Sequence, residues 1–290
     1  MSLAAAFLLG LVQAATEFLP VSSTAHLLVF GELLGQRLSD ERFRAFVAVI
    51  QAGTTLAVVA YFRTDLARLA AAALGSLRRL RPLETPVSRL AWWIALGTVP
   101  AAALGKLLEE RIEALGNAVI ALSLVAWALV LVVAESRSRQ ERGVEEMGAA
   151  DAIWVGLAQA AALVPGTSRS GSTIAAGMLL GLRREAAARY SFLLSVPITL
   201  GAGFYKLGRV LPALRAEPAW ALAAAVGTIV SFLFGLAVIA WLLRWLRTRT
   251  LWLFVGWRLA AAAVVAGLLW TGTLPASDEW PPPPAAGGRR

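Results

Sequence analysis

The chain has no cysteine and a single histidine, His26. Without thiols, disulfides, thiolate nucleophiles, iron–sulfur clusters and cysteine-ligated zinc are all excluded. Any mechanism that needs two imidazoles is excluded as well. Charge is scarce: 16% of the 290 residues are Asp, Glu, Lys or Arg, against about 25% in soluble domains. Apolar residues make up 58%. They gather in uncharged runs such as 114–134 and 219–243, each long enough for the roughly 20 residues that cross a bilayer core. A soluble enzyme and a disordered chain are therefore excluded. The surplus of 27 Lys and Arg over 18 Asp and Glu sits at the ends of apolar runs, where topology and lipid headgroups explain it, so no nucleic acid is expected as a partner. The reading is an all-α integral membrane protein in contact with membrane lipid.

Hydrophobic runs predict six membrane helices, at about 43–62, 88–105, 114–134, 187–204, 219–243 and 251–274. Arg63, Arg68, Arg78, Arg79, Arg81 and Arg89 crowd segment 63–89, and Arg244, Arg247 and Arg249 crowd 244–250. Both are expected on the cytoplasmic side. Segments 106–113 and 205–218 then fall outside, 135–150 inside and the C-terminus outside. Met1–Thr16 has no Lys or Arg ahead of its apolar stretch and is not expected to be a cleaved signal. Residues 1–274 are read as one polytopic domain, and 275–290, with Pro281–Pro284, as a disordered tail.

Two further apolar segments are longer than one span and break near their middles. Leu3–Gly31 carries one formal charge, Glu17, and breaks at Pro20-Val-Ser-Ser-Thr-Ala. Ala152–Leu182 carries one, Arg169, and breaks at Pro165-Gly-Thr-Ser-Arg-Ser-Gly-Ser. Proline and glycine end helices there, and broken backbone survives at membrane depth only inside protein or beside water. Two re-entrant helical hairpins are expected. The segments also match each other: Gly10-Leu-Val-Gln-Ala-Ala with Gly156-Leu-Ala-Gln-Ala-Ala, and Gly31-Glu-Leu-Leu-Gly with Gly177-Met-Leu-Leu-Gly, at a common offset of 146. Under the sidedness above the two halves, about 1–146 and 147–274, run oppositely. That is an inverted-topology repeat, whose broken helices meet near the midplane.

Burying Glu17 or Arg169 alone near the bilayer centre costs about 2.5–3.5 kcal/mol on insertion scales, so such residues face a polar cavity or one another. Around them stand Ser22, Ser23, Thr24 and His26 on one side, and Thr167, Ser168, Ser170, Ser172 and Thr173 on the other. Arginine, hydroxyls and helix N-termini form an anion cradle whose fork suits phosphate oxygens. Gln13 and Glu17 share one helix face. One carboxylate is thin for an all-protein metal cage, but it is typical of Mg²⁺ held between a carboxylate and substrate phosphates. Ser23 and His26, three apart, are spaced for a hydroxyl nucleophile and its base. Gly166 lacks the Gly-Lys-Ser/Thr of a nucleotide-binding loop. The eleven tryptophans read as an interfacial belt or packing. Arg258, alone in the last span, fits either a snorkelling side chain or a lipid-phosphate contact, and the sequence does not choose.

At Gln13-x-x-x-Glu17, Phe18-Leu-Pro-Val-Ser-Ser-Thr-Ala-His26 and Pro165-Gly-Thr-Ser-Arg-Ser-Gly-Ser-Thr173, the sequence resembles the undecaprenyl-diphosphate phosphatase family, also called bacitracin-resistance proteins. The resemblance covers nearly the whole chain outside the tail. It implies a multi-pass enzyme of the bacterial plasma (inner) membrane with six spans and two re-entrant hairpins. Its site opens to the extracytoplasmic side, and it hydrolyses undecaprenyl diphosphate to undecaprenyl phosphate and inorganic phosphate. That recycles the lipid carrier of cell-wall synthesis and confers bacitracin resistance. Carried over by position, Ser23 is the nucleophile, His26 its general base or acid, and Glu17 a metal ligand or proton carrier. Ser168, Arg169 and Thr173, with Ser170 and Gly166, hold the diphosphate. The implied cofactor is a divalent cation, Mg²⁺ or Ca²⁺, on Glu17 and Gln13. Glutamine at position 13 weakens a charge-based role there. His26 as nucleophile, or direct attack by a metal-activated water, stays open. A second copy of the chain is a candidate partner. The alternative from another class is a polyprenyl-phosphate or anion transporter or flippase, since broken inverted repeats are a transporter architecture.

Overall fold

A computed structural model describes residues 1–38, 40–113 and 115–276. Among the described residues every regular element is helical, and the β pairing is an isolated bridge between Arg142 and Leu182. In chain order the helices are α1 (Leu3–Phe18), α2 (Ser23–Leu33), α3 (Glu41–Tyr61), α4 (Arg63–Arg78), α5 (Pro86–Glu113) and α6 (Asn117–Arg137). A single 3₁₀ turn (Val144–Glu146) leads to α7 (Ala149–Ala161), α8 (Arg169–Leu179), α9 (Arg184–Ala216), α10 (Pro218–Thr248) and α11 (Trp252–Trp270). Local chemistry sets the ends. Ser2 caps α1 by accepting from Ala5 N, Asp40 caps α3 by accepting from Arg42 N, and Pro218 opens α10, where its missing N–H costs nothing. Position 275 and the residue after it are described, but the rest of the expected tail, 277–290, lies outside the described residues.

Among the described residues five helices are long and apolar enough to cross a membrane: Glu41–Tyr61, Pro86–Leu108, Asn117–Arg137, Pro218–Thr248 and Trp252–Trp270. Large side chains exposed on them, such as Leu56, Leu122, Leu129, Ile229, Leu233 and Trp257, suit a lipid solvent and not water. The chain is a multi-pass membrane protein. The sixth expected span, 187–204, is helical but is not one of the five. It belongs to α9, whose first third is core: Tyr190, Phe192, Leu193 and Leu194 are buried together with Ser191 and Ser195. A helix wrapped in protein need not be apolar all round. Segment 63–89, expected on the cytoplasmic side, contains α4, which packs against α5.

The main contacts come in related pairs. Helix α1 packs on α10 as α7 packs on α5; α3 packs on α10 as α9 packs on α5; α2 meets α11 as α8 meets α6. Helices α3 and α9 cross one another, as do α6 and α11. The contacts of α9 with α8 and α10 have no such partner. Two glycine pairs allow close crossings. A Cβ on Gly10 would stand 2.6 Å from Gly227 O, and one on Gly156 would stand 2.5 Å from Gly97 O. On another side of the molecule, Glu135 pairs with Arg184 and accepts from Leu251 N at 3.1 Å, joining α6, α9 and the start of α11.

Gly156→Ala should therefore melt well below wild type in detergent, by an overpacking penalty of about 1–3 kcal/mol. Gly256→Ala and Gly267→Ala, where a Cβ meets nothing within 4 Å, should not. Equal melting temperatures for all three would show that the α5–α7 crossing is not set by backbone contact.

Candidate active site

Pro20 ends α1, and the Pro165-Gly166 pair follows the end of α7; each break closes on a serine in an unusual backbone conformation. Ser22 has φ 77° and ψ 105°, Ser168 φ 74° and ψ 109°. A non-glycine residue there carries strain of roughly 1–3 kcal/mol and persists only where its surroundings impose it. Both serines are helix caps: Ser22 Oγ accepts from Ala25 N at 3.5 Å, and Ser168 Oγ accepts from Gly171 N at 3.1 Å. They stand at the same 146-residue offset as the sequence matches. The chain restarts as α2 at Ser23 and as α8 at Arg169, so first-turn amides without intrahelical partners are gathered at both breaks. Gly166, at φ 90°, presses against α6: a Cβ there would stand 2.6 Å from Ile120 O.

Between the breaks lies a cavity of about 240 Å³. Glu17, Ser22, Ser23 and Thr24 line it from the first break; Gly166, Ser168 and Arg169 line it from the second. Glu17 Oε1 accepts from Arg169 Nη2 at 2.5 Å, and the two side chains are 7% and 17% exposed. The other carboxylate oxygen, Oε2, accepts from Gln13 Nε2 at 3.1 Å and from Ser23 Oγ at 3.2 Å. One carboxylate thus holds a guanidinium, an amide and the hydroxyl of the expected nucleophile. Only one of Arg169's hydrogen bonds goes to Glu17, leaving further N–H donors of the fork for an anion in the cavity.

The remaining expected residues stand elsewhere. Ser170 Oγ donates to Leu19 O at 3.0 Å, tying α8 to the first break, and lies within 3.2 Å of Ser168 Oγ. Thr173 Oγ1 bonds Arg169 O at 2.7 Å and Ser191 Oγ at 2.6 Å. Both are buried behind the cavity wall. The structure does not bring His26 to Ser23. His26 Nδ1 faces Ser22 O at 2.7 Å, and its Nε2 accepts from Trp257 Nε1 at 2.7 Å, away from the cavity. Because an indole N–H only donates, the ring proton belongs on Nδ1. Gln13 supports Glu17 from behind, and its Oε1 is buried without a hydrogen-bond partner.

The cavity also has walls that motif reading passes over. Gln51 and Thr55 come from α3, Gln159 from α7, and Thr199 and Lys206 from α9. Both polar atoms of Gln159 are buried and unpartnered. The signal for the others was present: Gln51 and Thr55, or Ser191, Ser195 and Thr199, repeat every four residues within apolar helices, which puts each set on one face. Among the described residues no three His, Asp or Glu side chains form a metal cluster. One carboxylate and the free Gln13 oxygen fit a cation whose remaining ligands are phosphate oxygens, and not an all-protein cage.

The family model described as "Bacitracin resistance protein BacA" matches residues 6–264. An undecaprenyl-diphosphatase of Anaeromyxobacter sp. (strain Fw109-5) is 66% identical over 290 residues, covering 100% of this chain and 95% of that protein. One from Myxococcus xanthus (strain DK1622) is 48% identical over 276 residues, 94% of this chain and 91% of that protein. One from Rubrobacter xylanophilus is 47% identical over 268 residues, 91% and 97% of the two lengths.

Removing one partner of a buried ion pair costs about 3–5 kcal/mol, whereas replacing both by apolar residues is often neutral. Glu17→Leu and Arg169→Met should each lower the thermal midpoint in detergent more than the double variant does. Additive losses in the double variant would mean that the two charges do not share one buried environment.

Proposed function

The chain belongs to the BacA family of bacitracin resistance proteins, and from that membership and the cavity we propose that it is an undecaprenyl-diphosphatase. It hydrolyses undecaprenyl diphosphate to undecaprenyl phosphate and inorganic phosphate. The observation that carries the reading is Glu17, which is bonded at once to the Arg169 guanidinium and to the Ser23 hydroxyl in a cavity lined from both broken helices. The transporter alternative is not favoured, since the similar proteins are named for the phosphatase reaction.

In the proposed reaction the diphosphate enters the cavity and takes the free N–H donors of Arg169 and the first-turn amides of α2 and α8. Ser23 Oγ attacks the terminal phosphorus, its proton passes to Glu17 Oε2, and the bond to undecaprenyl phosphate breaks. Water then hydrolyses the phosphoserine, with the proton on Glu17 returning to the serine oxygen. Glu17 takes this role because the hydroxyl already donates to it, while both nitrogens of His26 are engaged elsewhere. Gln159, unpartnered and buried at the wall, is placed to bond a phosphate oxygen. Ser168 and Gly166 hold the anion from the second break, while Ser170 and Thr173 shape α8 behind them. A divalent cation, Mg²⁺ or Ca²⁺, held by Glu17 and Gln13 together with the diphosphate, would neutralise charge on the phosphates.

A second cavity of about 180 Å³ continues from the first between α3 and α9. It shares Ala52, Thr55, Thr199 and Gly203 with the polar cavity and adds Val49, Leu56, Leu200 and Phe204. In this reading the first isoprene units lie there and the rest of the tail lies in lipid. The same reading takes α1–α2 and α7–α8 as re-entrant hairpins of an inverted-topology repeat; the paired helix contacts and the two matching serines support it. It sets the enzyme in the bacterial inner membrane with its site open to the extracytoplasmic side, where it recycles the carrier for cell-wall synthesis. A homodimer is a further candidate state.

Purified protein should release phosphate from undecaprenyl diphosphate, and Ser23→Ala should release none; substantial turnover by that variant would eliminate the serine as nucleophile. Glu17→Gln should lose about 10²–10⁴-fold in kcat. Leu56→Trp, in the wall of the second cavity and not of the first, should raise KM for the C55 substrate and spare short-chain diphosphates. An equal effect on both would remove the groove between α3 and α9 from the substrate's path.

A further inference from the structure

Arg258, in the second turn of α11, is 0% exposed. None of its hydrogen bonds among the described residues goes to a carboxylate; all go to main-chain carbonyls. Nε donates to Leu124 O at 3.2 Å and Nη1 to Pro20 O at 3.3 Å; Nη2 donates to Ser123 O at 3.2 Å and to Gly166 O at 2.9 Å. Pro20 belongs to the first break, Gly166 to the second, and Ser123 and Leu124 to α6. One rigid guanidinium therefore spans both interruptions and the helix on which the second is seated.

The neighbouring residue works on the same segment. Trp257 donates to His26 Nε2, and His26 in turn holds Ser22 O. Consecutive residues of α11 thus grip both sides of the first break, Pro20 directly and Ser22 through the imidazole. An apolar residue would fill the space near Arg258 without the cost of burying a charge. What only arginine supplies is a planar fork with donors in fixed directions, enough to reach three separate stretches of backbone. The carbonyls that need such donors are those freed where helices stop.

We propose that Arg258 is the positioning residue of the site: it fixes the first break, which carries Ser23, against the second, which carries Arg169. It touches neither substrate nor the reacting atoms. Its effect is to hold the nucleophile in line with the phosphorus that Arg169 binds, a register in which an error of about 1 Å costs roughly 100-fold in rate.

The proposal rests on the diphosphatase reading, and the test separates the two. Wild type, Arg258→Lys and Arg258→Gln are compared for turnover of undecaprenyl diphosphate, thermal midpoint and amide exchange at 19, 21, 22 and 166–168. Lysine keeps the charge and most of the length but donates from a single point. The expected result for Arg258→Lys is a near-wild-type midpoint, kcat down about 100-fold with KM changed by less than about threefold, and faster exchange confined to the two breaks. Wild-type kcat in a folded Arg258→Lys, or a lowered midpoint with kcat and exchange at the breaks unchanged, would overturn it. So would failure of both variants to accumulate, which would make Arg258 a folding residue. If wild type itself releases no phosphate, the diphosphatase reading falls. Unchanged exchange at the breaks would still overturn the clamp independently.

Discussion

The Glu17–Arg169 pair is the contact on which the site's organisation depends. The two residues are 152 positions apart in the chain, yet their side chains meet at 2.5 Å in a largely buried setting. Neither charge is tolerable there alone. For them to meet, α1 and α7 must each stop midway and their continuations must converge. A buried pair of this kind adds little net stability compared with apolar residues of similar size. Its value is chemical: it sets a carboxylate against a serine hydroxyl and a guanidinium at the wall of one cavity.

Around that pair the work is divided between wall and support. Ser23, Ser168, Gly166 and Gln159 reach the cavity. Ser170, Thr173 and His26 spend their polar atoms on backbone and neighbouring hydroxyls or indole, which fixes the shape of the breaks. Strain at Ser22 and Ser168 is offset by caps within their own helices and by carbonyl clamps from outside. Glycines at 10, 97, 156 and 227 let the unbroken helices α5 and α10 approach the broken ones closely. The broken helices are thereby held at close backbone approaches, while the interruptions between them face the cavity.

Much of this was legible in the sequence. Uncharged runs of about 20 residues marked the membrane helices, and Pro20 and Pro165 marked the breaks, because proline and apolar length act locally. The isolated charges Glu17 and Arg169 were legible for the same reason: a charge inside an apolar run demands a partner. Three features were not. The first part of α9 is buried in protein, which an apolar run alone does not distinguish from contact with lipid, so 187–204 reads simply as one more span. Spacing placed Ser23 and His26 on one helical turn, but not the tertiary donor, Trp257, that turns the imidazole away. Arg258 was ambiguous because its partners are main-chain carbonyls on three distant segments, which no side-chain pattern announces.

The most direct check is to quench wild-type protein in acid during turnover of undecaprenyl diphosphate labelled in its terminal phosphate, then to find the label by peptide mass spectrometry. Covalent label on Ser23, chased off by unlabelled substrate, is the expected result. Label on His26, or none while phosphate is being formed at full rate, would contradict a serine nucleophile activated by Glu17.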